Sequence, residues 1–350
     1  MLSILLIPFA WLYGLFVRCR NLFYDFGWMK SNSFDQAVIG VGNLNVGGTG
    51  KTPMIEYLVN LLSSHYSIAI LSRGYGRSTH GFLLAERHDD ATTIGDEPYQ
   101  FYRKFGTRVT VVVCENRVEG ISKLLKKKPE VQVILLDDAF QHRAVKPLLS
   151  ILLTDFSTPF FKGHLLPRGR LREPRAGSQR ADVLVATKCD SFANGFTSQF
   201  SEALETYAGK KPIFFSGIRY KPPVSIGGNS QLASDIILVT GIANSKPVED
   251  YAASRFKVIH HFRFKDHHRY SPDDIAAVQR KTGNGGISIL TTEKDMVKLI
   301  SPAMANGFNK KLWFYLPIET YFLNSGAEFD ELVMEKAKTH LHTISSKILK

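Results

Sequence analysis

Cysteine is scarce in this chain of 350 residues, and the three that occur lie far apart. Cys19, Cys114 and Cys189 form no C-x-x-C pair, the spacing that zinc sites and redox-active disulfides use. The sequence therefore predicts neither a zinc centre nor a disulfide framework, and it is compatible with a reducing cytoplasm.

Acidic residues are also in short supply, since 32 Asp and Glu face 44 Lys and Arg, a formal net charge of +12. Such an excess favours anionic partners, whether nucleic acid, phospholipid headgroups or a phosphorylated substrate. The most basic window, residues 162–180, is rich in glycine and proline, so we expect a long irregular binding loop, called the basic loop below. It contains no aromatic side chains on which bases stack, and we predict no nucleic-acid partner.

The apolar run that opens the chain, residues 1–17, is too short for a spanning helix, which needs roughly 20 apolar residues. It lacks the basic start and small-residue cleavage site of a signal peptide. Arg18 and Arg20 follow it, and aromatic residues follow them at 23–28. We expect a helix lying in one leaflet of an anionic membrane; a buried core helix is the alternative.

A glycine-rich turn, the phosphate loop, joins an apolar strand pattern at 37–41 to a helical pattern at 53–62. Its glycines allow backbone N–H groups to curl around a phosphate, Lys51 can reach the outer phosphates, and Thr52 can offer its hydroxyl to Mg²⁺. The usual pattern has glycine where this chain has Asn45, a residue that tolerates left-handed backbone angles. The predicted nucleotide site consists of Asn45, Val46, Gly47, Gly48, Thr49, Gly50, Lys51 and Thr52.

A short apolar strand pattern at 131–136 delivers Asp137 and Asp138 to its carboxyl end. In phosphate-loop enzymes, a strand beside the loop strand carries an acid that holds Mg²⁺ directly or through water. Two adjacent carboxylates repel each other unless a cation is near. The pair predicts a Mg²⁺ site, with a turn-forming Asp pair as the alternative, and either carboxylate can be the one nearer the metal.

Two further strand patterns end in polar residues. The run at 68–71 leads into a glycine-rich loop that contains Arg73 and Tyr75. This loop either contacts a ligand or is a solvated turn. Asp96 opens a helical pattern, where a role as N-cap is sufficient to explain it. Thr-Lys-Cys-Asp at 187–190 resembles the base-reading Asn-Lys-x-Asp box of guanine-nucleotide proteins, with Thr in place of Asn.

A Gly/Ser-rich stretch around residues 225–234 separates two series of strand and helix patterns. We expect an α/β fold with a phosphate-loop NTPase-type domain of mostly parallel sheet, a smaller α/β domain and an apolar N-terminal membrane-anchoring helix. The predicted boundaries are 1–31 for the anchor and linker, 32–227 for the core and 228–350 for the second domain.

Seven motifs, taken as a set and in order, resemble those of the tetraacyldisaccharide 4'-kinase family; they lie at 45–53, 72–76, 95–98, 137–141, 166–173, 266–267 and 292–295. The resemblance covers nearly the whole chain. It implies a membrane-associated lipid kinase that transfers the γ-phosphate of ATP to the 4'-hydroxyl of a tetraacyldisaccharide 1-phosphate precursor of lipid A, giving the 1,4'-bisphosphate.

The resemblance also implies roles for individual residues. Lys51 would neutralise the transferring phosphoryl group. Asp96 would accept the proton of the sugar hydroxyl, with His267 from the second domain orienting Asp96 or raising its pKa. The implied Mg²⁺ ligands are Thr52, Asp137, Asp138 and Glu173. The implied substrate contacts are Arg73, Tyr75, Arg117, Arg168 and Arg172.

We therefore expect ATP and Mg²⁺ to be required, with the lipid A precursor and an anionic membrane surface as partners. The protein is expected to be a monotopic monomer on the cytoplasmic face of the inner membrane. The competing hypothesis is a membrane-linked phosphate-loop GTPase or ATPase switch, motivated by the box at 187–190, which needs no lipid acceptor. A non-enzymatic anion-binding protein would need neither the phosphate loop nor the acid pair.

Overall fold

The computed structural model describes residues 5–189, 196–266, 268–283, 286–300 and 308–348. The elements up to residue 220 are α1 (Ile7–Asp25), β1 (Ala37–Asn43), α2 (Lys51–Leu62), β2 (Ile68–Ser72), β3 (Leu83–Leu84), α3 (Ala91–Ile94), α4 (Asp96–Phe105), β4 (Val109–Val113), α5 (Arg117–Lys127), β5 (Val133–Asp137), β6 (Leu149–Asp155), β7 (Val183–Thr187), α6 (Phe196–Ala208) and β8 (Ile213–Tyr220). Those that follow are β9 (Val224–Ser225), β10 (Asp235–Thr240), α7 (Lys246–Arg255), β11 (Lys257–Arg263), α8 (Pro272–Arg280), β12 (Ile287–Thr292), α9 (Glu293–Leu299), β13 (Trp313–Leu316), β14 (Ile318–Phe322) and α10 (Gly326–Ile348).

The first sheet, counted over these described ranges, has nine strands in the order β14-β8-β7-β6-β1-β5-β2-β4-β3. The seven from β8 to β4 are parallel, and β14 and β3 pair antiparallel at the two edges. Every residue of β1 is buried, because α2 and α10 pack on one face of the sheet and α5 on the other. The predicted α/β fold with a large, mostly parallel sheet is confirmed.

The second sheet has five strands within the described residues, in the order β11-β10-β12-β13-β9, and only β9 pairs antiparallel. After β13 the chain returns to the first sheet, where β14 pairs with β8 and Phe329 and Val333 of α10 join the core. The domain boundaries proposed from sequence stay a prediction. The sheets themselves divide the chain at β9 and again after β13, so the last strand and helix belong with the first sheet.

Helix α1 has one packed face and one exposed apolar face. Ala10, Gly14 and Val17 are buried, whereas the exposed side carries Phe9, Trp11, Leu12 and Phe16, with 57–70% of each side chain accessible. Among the described helices, none is both long enough and apolar enough to cross a membrane.

A buried ion cluster links α2 and α4 to α9, which follows a strand of the second sheet. The ammonium of Lys104 lies 2.7 Å from Glu56 and 2.9 Å from Glu293. Gln100 donates a further hydrogen bond of 2.9 Å to Glu56. Burial, and then the Glu293 carboxylate, raise the pKa of Glu56 to about 7, and Lys104 offsets them only in part.

This cluster predicts a specific pH dependence of stability. A raised pKa means that folded Glu56 holds its proton more tightly than unfolded Glu56, so its stabilising contribution is complete below pH 4.5 and is lost as the pH rises to about 7. Relative to wild type, Glu56→Gln should therefore gain up to about 3 kcal/mol of unfolding free energy across that interval. Urea denaturation at several pH values measures the difference, which should stay constant for Glu119→Gln, an exposed control. A constant difference for Glu56→Gln as well would contradict the assignment.

Candidate active site

The phosphate loop follows β1 and ends at the N-terminus of α2. Gly47 and Gly50 have φ values of +113° and +81°, a region that glycine adopts without strain. Gly50 is the N-cap residue of α2, and its carbonyl accepts a hydrogen bond of 3.1 Å from the N–H of Met54. The first N–H groups of a helix have no partner within it, so this loop has the geometry of an anion site.

Asn45 stands where the usual pattern has glycine, but its backbone is not left-handed, so that explanation for its presence is wrong. Instead, Asn45 forms an antiparallel bridge with Leu171, and Val46 donates a 2.7 Å hydrogen bond to the carbonyl of Arg170. The basic loop therefore pairs, strand-like, with the start of the phosphate loop. An extended residue suits this pairing, and glycine is not needed.

Arg172, at the end of this pairing, binds Asp138 with both terminal nitrogens at 2.9 Å. One of them also contacts the Asn43 side chain and the Asn45 carbonyl. Lys51 lies 3.6 Å from the same carboxylate. Burial opposes the charge on Asp138, but Lys51 and Arg172 outweigh it and lower the pKa of its carboxyl. Asp138 is thus a carboxylate held between two cations.

Asp137 is buried at the end of β5, and one of its oxygens has no hydrogen-bond partner. Oδ2 accepts a 3.0 Å bond from the Ser72 hydroxyl, whereas Oδ1 is buried without a partner. Burial, and then the carboxylates of Glu97 and Asp138, raise the pKa of Asp137 to about 7. A buried, unsatisfied carboxylate beside two further acids is a place where a divalent cation lowers the energy.

The described residues contain no group of three or more His, Cys, Asp and Glu side chains able to hold a metal. This fits Mg²⁺, which usually keeps several waters and takes one or two carboxylates together with phosphate oxygens. Thr52, in the first turn of α2, is half-buried at the loop.

Arg117, predicted to contact a phosphate, is instead 3% exposed and packed against backbone. Its two terminal nitrogens donate to the carbonyls of Cys114 (2.8 Å) and Asp137 (3.2 Å). Burial lowers the pKa of its guanidinium, and the neighbouring Asp137 and Asp138 counteract this. Arg117 therefore fixes the strand end that carries the acid pair.

The other predicted substrate contacts, Arg73, Tyr75 and Arg168, are exposed. Arg73 follows β2, which pairs with β5, the strand that ends in the acid pair. Its charge, after burial and the charge of Arg117, helps to lower the pKa of His142 to about 4. Arg168 lies in the basic loop.

Glu173, predicted as a metal ligand, is fully buried among donors. Arg180 lies 2.9 and 2.8 Å from its two oxygens, Gln141 donates at 2.9 Å and Asn21 at 3.3 Å. These contacts do not favour a metal role for Glu173. They fasten the basic loop to α1 and to the turn after the acid pair.

Helix α1 makes two further contacts, one with the basic loop and one with the turn after the acid pair. The Tyr13 hydroxyl donates a 2.6 Å hydrogen bond to the backbone carbonyl of Arg172, and Asp25 pairs with Arg143 at 2.6 Å. The helix with the exposed apolar face thus touches the residue that holds Asp138.

Asp96 is the first residue of α4, and the N-cap is Gly95, so the expected N-cap role of Asp96 is wrong. Gly95 has a φ of +95°, and a Cβ there would lie 3.1 Å from the carbonyl of Tyr75, so glycine suits the close approach of α4 to the loop after β2. Arg269 reaches the same loop from the second sheet, with a 3.0 Å hydrogen bond to the Gly76 carbonyl. His267, the expected partner of Asp96, lies outside the described residues.

Two residues meet the phosphate loop without having been predicted to do so: Arg170, and Lys188 of the box at 187–190. The guanidinium of Arg170, in the basic loop, lies beside Gly47, since a Cβ on Gly47 would lie 3.1 Å from one of its nitrogens. Lys188 contacts the Gly48 carbonyl from the end of β7. Both lie in windows that the sequence had marked as unusual, but their contacts depend on distant strands.

The family model described as tetraacyldisaccharide-1-P 4'-kinase matches residues 2–338. A tetraacyldisaccharide 4'-kinase from Flavobacterium johnsoniae is 41% identical over 342 residues, covering 96% of this chain and 98% of the relative. One from Bacteroides thetaiotaomicron is 42% identical over 340 residues, covering 91% and 89%.

Among solved structures, the chain is similar to LpxK from Aquifex aeolicus, crystallised in complex with ATP. The TM-score is 0.75 at 29% sequence identity, and the match covers 96% of this chain and 99% of that one.

The Glu173 cluster predicts a large stability effect for a conservative change. Glu173→Gln leaves Arg180 without its charged partner and should cost about 3 kcal/mol of unfolding free energy, because a half-broken buried ion pair is strongly destabilising. Glu119→Gln, which breaks an exposed helical pair with Lys123, should cost below about 0.5 kcal/mol. Chemical denaturation measures both, and equal losses would contradict the structural role of Glu173.

Proposed function

Because the chain belongs to the tetraacyldisaccharide-1-P 4'-kinase family, we propose that it transfers the γ-phosphate of ATP to the 4'-hydroxyl of a tetraacyldisaccharide 1-phosphate, forming the 1,4'-bisphosphate of lipid A biosynthesis. The observation that carries this is the meeting of Lys51, Arg172 and Asp138 at the end of the phosphate loop. Phosphoryl transfer depends mainly on positioning and on charge neutralisation, which this cluster supplies.

Lys51 and the N-terminus of α2 hold the phosphates of ATP. Lys51 lies 3.6 Å from the carboxylate of Asp138, longer than a normal charge-assisted hydrogen bond. The ammonium is therefore held close to the loop but not tightly engaged. A γ-phosphate at the loop would take this contact over while Arg172 keeps Asp138 in place.

Mg²⁺ would be held by Asp137 and the hydroxyl of Thr52, with Asp138 nearby. The orphaned Oδ1 of Asp137 supports this choice, since Asp138 already accepts two hydrogen bonds from Arg172. An ion at this position would neutralise the negative charge that develops on the transferring phosphate. Arg117 and Ser72 keep Asp137 in position.

Asp96 accepts the proton of the sugar hydroxyl, and His267 orients it. Two contacts with the loop after β2 support a cleft shared by Asp96 and His267. Gly95, which precedes Asp96, packs on the Tyr75 carbonyl. Arg269, two positions after His267 in the chain, donates a hydrogen bond to the Gly76 carbonyl. Arg73 and Tyr75 are exposed in the loop after β2 and Arg168 is exposed in the basic loop. All three suit the anionic groups of the substrate, whereas Arg172 acts through Asp138.

The exposed apolar face of α1 binds one leaflet of the cytoplasmic face of the inner membrane, which places the basic loop beside the lipid substrate. Arg18 and Arg20 would meet headgroups.

The enzyme is proposed to act as a monomer, with a nucleotide-binding core and a smaller second domain. A nucleotide switch would need no such acceptor cleft, and the family match favours the kinase.

Replacement of the proposed base separates chemistry from binding. Asp96→Asn should lower kcat by about 10²- to 10⁴-fold with little change in ATP affinity, whereas Lys51→Ala should impair both. The assay follows transfer of labelled γ-phosphate from ATP to the lipid precursor. Asp273→Asn is a matched control, because Asp273 is an exposed carboxylate in the first turn of α8.

The pair is tested by a double-mutant cycle. His267→Ala should cost less than the loss of Asp96, and the double variant should cost less than the product of the two effects, because the residues act as one unit. Normal turnover in Asp96→Asn, or effects that simply multiply, would move the base elsewhere.

The membrane role of α1 predicts that charge on its exposed face releases the protein. Phe9 and Phe16 are 61% and 70% exposed, so changing both to Asp should leave the melting temperature unchanged and abolish sedimentation with anionic liposomes. Ile259→Asp, at an apolar position 44% exposed on β11, is the control. Sedimentation equal to wild type would place the membrane contact elsewhere.

A further inference from the structure

The ends of β6 and β7 lie on the side of the phosphate loop away from the acid pair. In the sheet order β7-β6-β1-β5-β2, the acid pair follows β5 and the Asp96 cleft adjoins the loop after β2. If ATP is the phosphate donor, as the proposed function requires, its γ-phosphate must face that side. The nucleoside must then extend toward β6 and β7, where ligands also meet the carboxyl ends of parallel strands.

Two residues at the end of β7 hold the outer surface of the phosphate loop. The ammonium of Lys188 donates to the Gly48 carbonyl, and the Thr187 hydroxyl donates to the Thr49 carbonyl at 3.0 Å. With these two carbonyls satisfied on the β7 side, the loop does not need solvent there to complete its hydrogen bonds.

Asp155, at the end of β6, completes the arrangement. Its Oδ2 lies 2.8 Å from the Lys188 ammonium, and its Oδ1 accepts bonds of 2.9 and 2.6 Å from the N–H and hydroxyl of Ser157. Burial opposes its charge, but Lys188 and Ser157 together lower the pKa of Asp155. Asp155 therefore stays a carboxylate.

Lys188 itself has a strained backbone, with φ of +59°. A non-glycine residue keeps such a conformation only where its surroundings impose it, which is common at ligand sites. The Gly48 carbonyl and Asp155 hold the ammonium of Lys188, and its backbone is fixed as well, so the methylene stem between them has one position. Of the whole side chain, 34% is accessible. Such a stem offers an apolar surface to a flat ring.

We propose that Lys188 and Asp155 form the nucleoside subsite, with the stem of Lys188 packing against the base of the bound nucleotide. This gives the box at 187–190 a role in a kinase, although Thr187 replaces the Asn of the resembling motif and Asp190 lies outside the described residues. Lys188 is then a residue that selects for a nucleotide over bare phosphate.

The test compares ligands with and without a nucleoside. Calorimetric titration of the full-length protein with ADP and with tripolyphosphate, both with Mg²⁺, gives two dissociation constants per variant. Lys188→Ala should raise the ADP constant about tenfold and leave the tripolyphosphate constant within about twofold, since one well-packed contact is lost. Asp155→Asn, which frees the lysine head, should change ADP binding in the same direction. Lys126→Ala, at an exposed helix end, should change neither.

Equal weakening of both ligands would show that Lys188 only shapes the phosphate loop, and unchanged ADP binding would place the nucleoside elsewhere; either result overturns the subsite. Asp155→Asn decides the question if Lys188→Ala does not fold. A protein that discriminates ADP in this way but phosphorylates no lipid would disprove the proposed function and leave the subsite intact.

Discussion

The two-pronged hydrogen bond from Arg172 to Asp138 is the contact on which the rest of the site depends. Arg172 lies in the segment that pairs with the phosphate loop, so a single residue joins the basic loop, the phosphate loop and the acid pair. A planar guanidinium is suited to this task, because its fork fixes both the position and the orientation of a carboxylate. With Asp138 held in this way, Lys51 has a carboxylate beside the loop.

The two sides of the phosphate loop differ in their net charge. On one side, Glu97, Asp137 and Asp138 raise one another's energy, which is tolerable because Lys51 and Arg172 are adjacent and a cation is expected. On the other side, Lys188 and Asp155 neutralise each other and carry no net charge. The first environment suits phosphate and metal, and the second suits an uncharged nucleoside.

The features predictable from sequence were those written in consecutive residues. The phosphate loop, the strand that ends in Asp137 and the parallel sheet follow from local spacing and apolar periodicity. The explanation offered for Asn45 failed because its conformation is set by Leu171, more than a hundred positions away. The sequence correctly marks Arg117 and Glu173 as belonging to segments near the site, but it does not predict their contacts. Whether such a side chain meets solvent or is buried against protein groups is decided by packing, which no local pattern contains. The contact between α1 and Arg172 was likewise invisible to periodicity.

The return of β14 to the edge of the first sheet has a consequence for synthesis on the ribosome. Strand β8 is complete some hundred residues before its partner β14 emerges, and all of the second sheet is made in between. During that interval the edge of β8 is unpaired, and Phe214 lacks the rings of Phe322 and Phe329 that later pack on it. Exposed edges and aromatic side chains are where nascent chains aggregate. Strand β14 and helix α10 therefore cover the edge of β8 only at the end of synthesis. A chain that stalls before them exposes an unpaired, aggregation-prone strand edge, to which chaperones can bind.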